Sequence, residues 1–87
     1  MFTQEYYIVF PEGDVQAIAG RLAVNMLVDI NGRELIPPLP THRMIAFRVS
    51  RIRVAESKGG SAAYHYLELM GAEELLPYTG PPARGTA

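Results

Sequence analysis

Residues 43–70 constrain the fold of this chain most, because they have the pattern of two long strands joined by a glycine turn. Side chains alternate between the two faces of a strand, and the apolar residues of 43–55 and 62–70 alternate in that way. Between them, Ser57-Lys58-Gly59-Gly60 supplies glycines for the positive φ angles of a tight turn. We therefore predict a long antiparallel hairpin.

The first strand of this hairpin changes phase near its middle. Its apolar residues before position 50 and those after it fall on opposite faces of an unbroken strand. One extra residue restores a continuous apolar face, which is the effect of a β-bulge. We predict a bulge at Ser50-Arg51, which places Arg48, Arg51 and Arg53 together on the outer face.

The partner strand fixes the register of the hairpin. If Glu56 lies opposite Ser61, the outer face gains three favourable cross-strand pairs: Arg53 with Tyr64, Arg51 with Tyr66, and Arg48 with Glu68. Such pairs each contribute roughly 0.2–1 kcal/mol. A slip of one residue would exchange the two faces, so the agreement between the bulge and the pairs supports this register.

Turn residues divide the remainder of the chain into short strands. β-branched and aromatic content and the intervening turns predict strands at 5–10, 15–19, 22–30 and 33–36. Asn31-Gly32 is a strong hairpin signal between the last two. Residues 71–77 are expected to end in a single helical turn, limited by Pro77.

These elements predict an all-β domain, a small antiparallel partly open barrel or bent sheet of five to six strands with a short C-terminal helical turn. SH3-like and Sm-like barrels have this architecture. We expect one domain over residues 1–78 and a disordered Gly/Pro-rich tail over 79–87. The predicted core comprises Tyr6, Ile8, Phe10, Met26, Val28, Ile30, Ile45, Phe47, Val49, Ile52, Val54, Leu67 and Leu69, with His65 on the same face.

Length and charge bound the classes of function. The chain has 87 residues and a net charge of −1, but residues 43–58 carry five basic side chains against one acid. There is no cysteine, which excludes disulfides and thiolate metal sites and suits a cytoplasmic location. We expect no signal peptide and no membrane-spanning segment, because no basic and apolar leader and no apolar run of about 20 residues is present.

Motifs for catalysis are weak. The sequence contains two histidines, without the spacing of a metal site, and no Gly-x-Ser-x-Gly motif. Lys58-Gly59-Gly60-Ser61 lacks the rest of a phosphate-binding loop and a helix to follow it. We therefore predict a protein that is not an enzyme and uses no cofactor or metal.

The outer face of the hairpin is the best candidate for binding. Tyrosine and arginine are enriched at protein interfaces, and the face has six candidate residues: Arg48, Arg51, Arg53, Tyr64, Tyr66 and Met44. We predict an interaction module for a protein partner or for itself as a homo-oligomer. Single-stranded nucleic acid, such as RNA, is the alternative, because arginine contacts phosphate and tyrosine stacks on bases. An ordinary strand surface stays open as a third reading.

Overall fold

A computed structural model describes residues 2–80 and forms a five-stranded half-barrel with one short helix. The strands are β1 (Thr3–Val9), β2 (Val15–Ile18), β3 (Leu27–Val28), β4 (Phe47–Ser57) and β5 (Gly60–Leu69), followed by helix α1 (Ala72–Leu75) and a 3-10 turn (Leu76–Tyr78). The mostly β fold confirms the predicted class. The predicted tail at 79–87 lies almost wholly outside the described residues.

The sheet has the order β2-β1-β5-β4-β3 and is mixed. Every neighbouring pair is antiparallel except β1–β5, which is parallel, so the antiparallel prediction is wrong for this one pair. A backbone bond from Thr3 N–H to the Gly59 carbonyl, 2.9 Å, starts β1 beside the turn of the long hairpin. Both β1 and β5 therefore run from the tip of that hairpin towards the base of the sheet.

The long hairpin has the predicted register. All three cross-strand pairs on the outer face are present, and Glu56 lies opposite Ser61. The register shifts between Val49 and Arg51, which confirms the bulge. Ser50 is the extra residue, and its hydroxyl donates to the carbonyl of Tyr66 at 3.0 Å. The Tyr66 carbonyl therefore keeps a hydrogen-bond partner at the bulge.

The turn of the hairpin differs from the prediction in its backbone angles. Ser57 pairs with Gly60, so Lys58 and Gly59 form a two-residue turn. Neither has a positive φ, so that part of the prediction is wrong. Gly60 is required for another reason, since a Cβ built on it would overlap the backbone of Thr3. The absence of a side chain at Gly60 allows β1 to approach β5.

One face of the sheet, the packed face, covers the main hydrophobic core. Its buried members are Ile8, Phe10, Val28, Phe47, Val49 and Leu67, with Ile18, Leu22, Met26 and Ile52 packed against them. Phe10 and Phe47 meet edge to face, with ring centroids 5.3 Å apart. The turn at 29–33 also lies under this face, because a Cβ on Gly32 would contact Ile18 and Ile8.

The Asn31-Gly32 turn is present, but the strands beside it are much shorter than predicted. Gly32 has a φ of 80°, and the Asp29 carboxylate accepts bonds from the backbone N–H groups of Asn31 and Arg33. Only two residues of 22–30 form β3, and 33–36 contributes one isolated bridge, Val28–Glu34. The Asp29 bonds stabilise the tight turn over 29–33, whereas β3 is limited to the two residues that pair with β4.

A second, smaller core lies on the opposite face at the base of the sheet. It buries Leu27, Leu39, Ala46, Met70 and Leu75, with Leu35, Met44 and Tyr78 partly buried beside it. The proline-rich loop and the 3-10 turn are joined by a bond from Leu39 N–H to the Tyr78 carbonyl, 2.7 Å. These two segments therefore cover part of the face that the sequence assigns to solvent.

Four residues of the predicted core are exposed: Ile30 (54%), Ile45 (60%), Val54 (47%) and Leu69 (58%). Ile30 and Ile45 lie outside the strands, where the alternation of side chains does not apply. Val54 lies towards the tip and Leu69 is the last residue of β5, so both extend beyond the main core. Tyr6, Met26 and Ile52 are half-buried, and the remaining members are buried as predicted.

No helix in the described part of the chain is long and apolar enough to cross a membrane. The molecule is elongated, with extents of 57 × 25 × 17 Å. The half of the long hairpin nearest its turn carries mostly exposed β4 residues. Of the candidate binding residues, Arg51 and Arg53 lie near the middle of β4, Arg48 is its second residue and Met44 precedes the strand.

Candidate functional site

Two rows of side chains cross the sheet on the face opposite the main core. One row contains Ala17, Tyr7, Tyr64 and Arg53, and the next contains Val15, Val9, Tyr66 and Arg51, each residue beside its neighbour on the adjoining strand. We call these eight residues the open face. Each row changes from apolar to aromatic to cationic as it crosses from β2 to β4.

The first row is organised by a tyrosine pair. The rings of Tyr7 and Tyr64 stack with centroids 5.2 Å apart and planes 15° apart. The Tyr7 hydroxyl donates to the Glu5 carboxylate at 2.8 Å, and this hydrogen bond, with burial and the nearby charge, raises the pKa of Tyr7 above its usual value. The hydroxyl of Tyr7 is therefore anchored by Glu5 while its ring stacks on Tyr64.

The second row places a cation over an aromatic ring. The guanidinium carbon of Arg51 lies 4.1 Å from the centroid of Tyr66, within the range of a cation–π interaction. Val15, at the other end of the row, is 55% exposed. This row therefore presents an exposed apolar end and a cationic end on the same surface.

Arg48 differs from the other two arginines because its charge is paired. Its guanidinium forms an ion pair with Glu68 through two nitrogens and donates a third bond to Asn25 at 3.0 Å. It is the only ion pair within residues 2–80. Arg51 and Arg53 thus keep unneutralised charges, whereas Arg48 secures the base of the hairpin.

Met44 lies apart from the arginines and tyrosines with which the sequence groups it. It precedes β4 and is half-buried against the second core. Ala46, the residue before β4, is fully buried in the same core. The structure thus brings together Arg51, Arg53, Tyr64 and Tyr66, and separates Met44 from them.

Four residues of this surface were not predicted as part of it, and Tyr7 is the aromatic one; the others are Val9, Val15 and Ala17. Because side chains alternate along residues 5–10, the side chain of Tyr7 lies on the opposite face from those of Ile8 and Phe10. This pattern predicts that Tyr7 points outward. The parallel pairing of β1 with β5 is what brings it beside Tyr64. That long-range pairing has no local signature in the sequence.

The sheet surface has a shallow depression beside the first row, on the side nearer the hairpin turn. An open depression of about 260 Å³ is lined by small residues of β4 and β5, including Ala55, Gly60 and Ala62. Thr3 and Glu5 of β1 also line it. The open face therefore continues into a low area near the turn of the hairpin.

His65 is fully buried and holds two backbone segments together. Its Nδ1 lies 2.8 Å from the Tyr7 carbonyl, and its Nε2 accepts the Leu22 N–H at 3.1 Å. A carbonyl can only accept, so Nδ1 carries the proton and the ring is neutral. Nε2 thus attaches Leu22 to the packed face while Nδ1 bonds the backbone of β1, so His65 has a structural role.

The side chains of residues 2–80 include no group of three or more histidine and acidic side chains arranged to hold a metal ion. The two adjacent acids, Glu73 and Glu74, lie in α1. There, the Glu74 carboxylate accepts the Gly71 N–H at 2.7 Å and caps the helix. The surface that remains as a candidate site is the open face.

Comparison with known proteins identifies a family. Residues 2–78 match the model of a family described as an uncharacterised Treponema protein. The chain belongs to this family. The matched residues include every strand of the half-barrel and both cores, so the match covers the whole architecture described above. Among curated proteins and among solved structures, no match was found.

Proposed function

We propose that this member of the family is a non-enzymatic interaction module that binds another protein through its open face. The observation that carries the proposal is the pair of adjacent rows, in which three tyrosines and two arginines share one uncovered part of the sheet. Tyrosine and arginine provide much of the energy at protein interfaces. The cysteine-free sequence suits action in the cytoplasm.

The stacked geometry supports this proposal. The Tyr7–Tyr64 stack and the Arg51–Tyr66 contact fix side chains before any partner binds. Side chains that are already ordered lose less conformational entropy on binding, which favours affinity. The exposed Val15 adds apolar area at the edge of the same surface.

Binding of single-stranded nucleic acid is the alternative, because Arg51 and Arg53 lie beside aromatic rings. Three contacts weigh against it. Glu68 neutralises Arg48, Arg51 covers Tyr66, and Tyr7 and Tyr64 cover each other, so phosphate and base contacts both compete with contacts already made. The geometry thus favours a protein partner, with a second copy of the chain as one form of it.

Light scattering of the purified protein at low and moderate salt, with and without a short mixed-sequence RNA, separates these functions. An oligomer whose mass ignores RNA and salt supports self-association, since a surface of aromatic contacts resists screening. A monomer that gains the mass of the RNA only at low salt overturns the proposal in favour of nucleic acid.

A monomer that ignores RNA calls for a heterologous partner, which is tested with open-face variants. We expect the double variant Tyr64→Ser/Tyr66→Ser to lose a partner that the wild-type chain retains in a purified two-component assay. Ile36→Ser is the matched control, because Ile36 is a 73% exposed apolar residue outside the open face. Equal binding by all three proteins would contradict the proposed surface.

A further inference from the structure

The edge of β4 near the tip carries no neighbouring strand. β3 pairs only with Phe47 and Arg48, and the residues before β3 exchange backbone bonds with Val49. From Arg51 to Ser57, β5 is the only strand bonded to β4 within residues 2–80. An uncovered strand edge presents a row of N–H and C=O groups that another strand can pair with.

The geometry of the turn tells which backbone groups point outwards. Ser57 and Gly60 flank a two-residue turn, so they form a hydrogen-bonded pair, and such pairs alternate along the ladder. Ser57, Ala55 and Arg53 therefore direct their backbone groups to β5. Ile52, Val54 and Glu56 direct theirs to the free side.

The side chains along this edge specify the chemistry of an added strand. Arg51 and Arg53 lie on the open face, whereas Ile52 and the 47% exposed Val54 lie on the packed face. Residues directly opposite one another in a sheet share a face, so an added strand needs carboxylates on one face and apolar side chains on the other. The cationic end of each row would then meet an acid.

We propose that the free edge of β4 binds an extended partner segment of alternating acidic and apolar residues by strand addition. This inference rests on the proposed function and names the partner's chemistry. Main-chain bonds to Ile52 and Val54 provide affinity, and the carboxylates opposite Arg51 and Arg53 provide specificity.

Charge argues against a second copy at this edge. In an antiparallel pairing of two copies, centring the pair on Arg53 places the two Arg53 side chains directly opposite. Centring it on Val54 leaves them diagonal neighbours, and the arginines of both copies still share one face. Like charges at these positions are unfavourable, whereas an acidic strand removes the repulsion.

The test uses three labelled seven-residue peptides and fluorescence anisotropy with the full chain. The first alternates glutamate and valine, the second replaces glutamate by lysine, and the third is the first with N-methyl groups on alternate backbone nitrogens that face β4. We expect the first peptide to bind about tenfold or more tightly than the other two, because charge and backbone bonding are both required. Equal binding by the N-methylated peptide would overturn strand addition.

Two protein variants locate the binding site. Val54→Pro removes an outward N–H from an edge, where proline is tolerated, and we expect it to abolish binding while circular dichroism stays unchanged. Arg51→Glu/Arg53→Glu is expected to reverse the preference in favour of the lysine peptide. Should Val54→Pro alter the fold, protection of the Ile52 and Val54 amides from hydrogen exchange on peptide binding replaces it, and no added protection would refute the inference.

The failure of this inference is distinguishable from failure of the proposed function. A partner lost by Tyr64→Ser/Tyr66→Ser but retained by Val54→Pro leaves the open face as the interface and refutes strand addition. A doubling of mass that Val54→Pro abolishes means that a second copy occupies the edge, which also refutes the acidic partner. Failure of the glutamate–valine peptide to bind at millimolar concentration would also refute the acidic partner.

Discussion

Phe47 is a residue at which the sequence pattern and the core agree. It is 7% exposed and packs edge to face on Phe10 in the main core. We expect Phe47→Ala to lower the free energy of unfolding by about 3–5 kcal/mol, because a large buried side chain leaves a cavity. Ile45→Ala is the control, since Ile45 is 60% exposed and its loss should stay within about 0.5 kcal/mol in urea unfolding. A loss below about 1 kcal/mol for Phe47→Ala, the range of ordinary surface changes, would mean that the assignment of faces is inverted.

His65 gives a second prediction at this scale. His65→Leu fills the buried position with an apolar side chain but leaves the Tyr7 carbonyl and the Leu22 N–H without their partner. Each buried group left unpaired costs about 1–3 kcal/mol, so we expect a larger loss of stability than for His42→Leu in a surface loop. Nitrogen NMR of the wild-type ring should show the proton on Nδ1. A proton on Nε2 would contradict the bond to Leu22.

The bulge in β4 explains why the apolar residues before and after position 50 alternate in opposite phases along one strand. Deleting Ser50 removes the extra residue and leaves Arg51 opposite Tyr66 and Arg48 opposite Glu68. We expect the deletion to keep these pairs, observed as cross-strand NMR contacts, and to lose the Ser50 bond. Deleting Arg53 instead moves Val54 to the open face and should lose much more stability, because a one-residue shift exchanges the faces beyond it. Equal effects of the two deletions would mean that Ser50 is not the extra residue.

The start of β5 carries a prediction about strand approach. Gly60→Ala places a Cβ against the Thr3 backbone, whereas the same change at Gly59 meets open space. Crowding of this kind costs typically about 1–3 kcal/mol, so we expect Gly60→Ala to lower stability and free the first residues of β1 in hydrogen exchange. Gly59→Ala is the matched control and should change little. A harmless Gly60→Ala would show that β1 does not need this close approach.

The long hairpin was predictable because its signals are local. Period-two alternation, the phase change at Ser50 and the glycine turn determine the register of β4 and β5 and therefore the arginine and tyrosine pairs. The exposure of Ile45 and the burial of Ala46 were not predictable in this way. They depend on where β4 starts and on Leu39 and Leu75, which pack on the other face from distant parts of the chain.

The arrangement of the whole molecule depends on one pairing that local pattern does not contain. The parallel β1–β5 ladder places Tyr7 beside Tyr64 and completes the open face from β2 to β4. Turn residues predict which consecutive strands form hairpins, but they do not select a distant parallel neighbour. Local sequence pattern therefore predicts the arginine end of the candidate surface but not its third tyrosine, Tyr7.

From the charge pattern of the whole molecule we expect a weak affinity for RNA with a shallow salt dependence. Although residues 43–58 have five basic side chains, Arg48 is paired with Glu68, and those on or near the open face are Arg51, Arg53 and, at the turn, Lys58. Three phosphate contacts on a single strand give a slope of about −2 for the logarithm of the binding constant against that of salt concentration. We expect no steeper slope in fluorescence titrations with a short RNA.

Single arginine variants test where that slope originates. Arg51→Gln and Arg53→Gln should each reduce it by about 0.7, whereas Arg48→Gln should leave it unchanged because Glu68 already neutralises that charge. A wild-type slope of about −4 or steeper requires roughly six phosphate contacts, more than the open face offers. That result would mean that basic groups outside this face join in one nucleic-acid surface, and it would replace the protein partner by RNA as the ligand of the half-barrel.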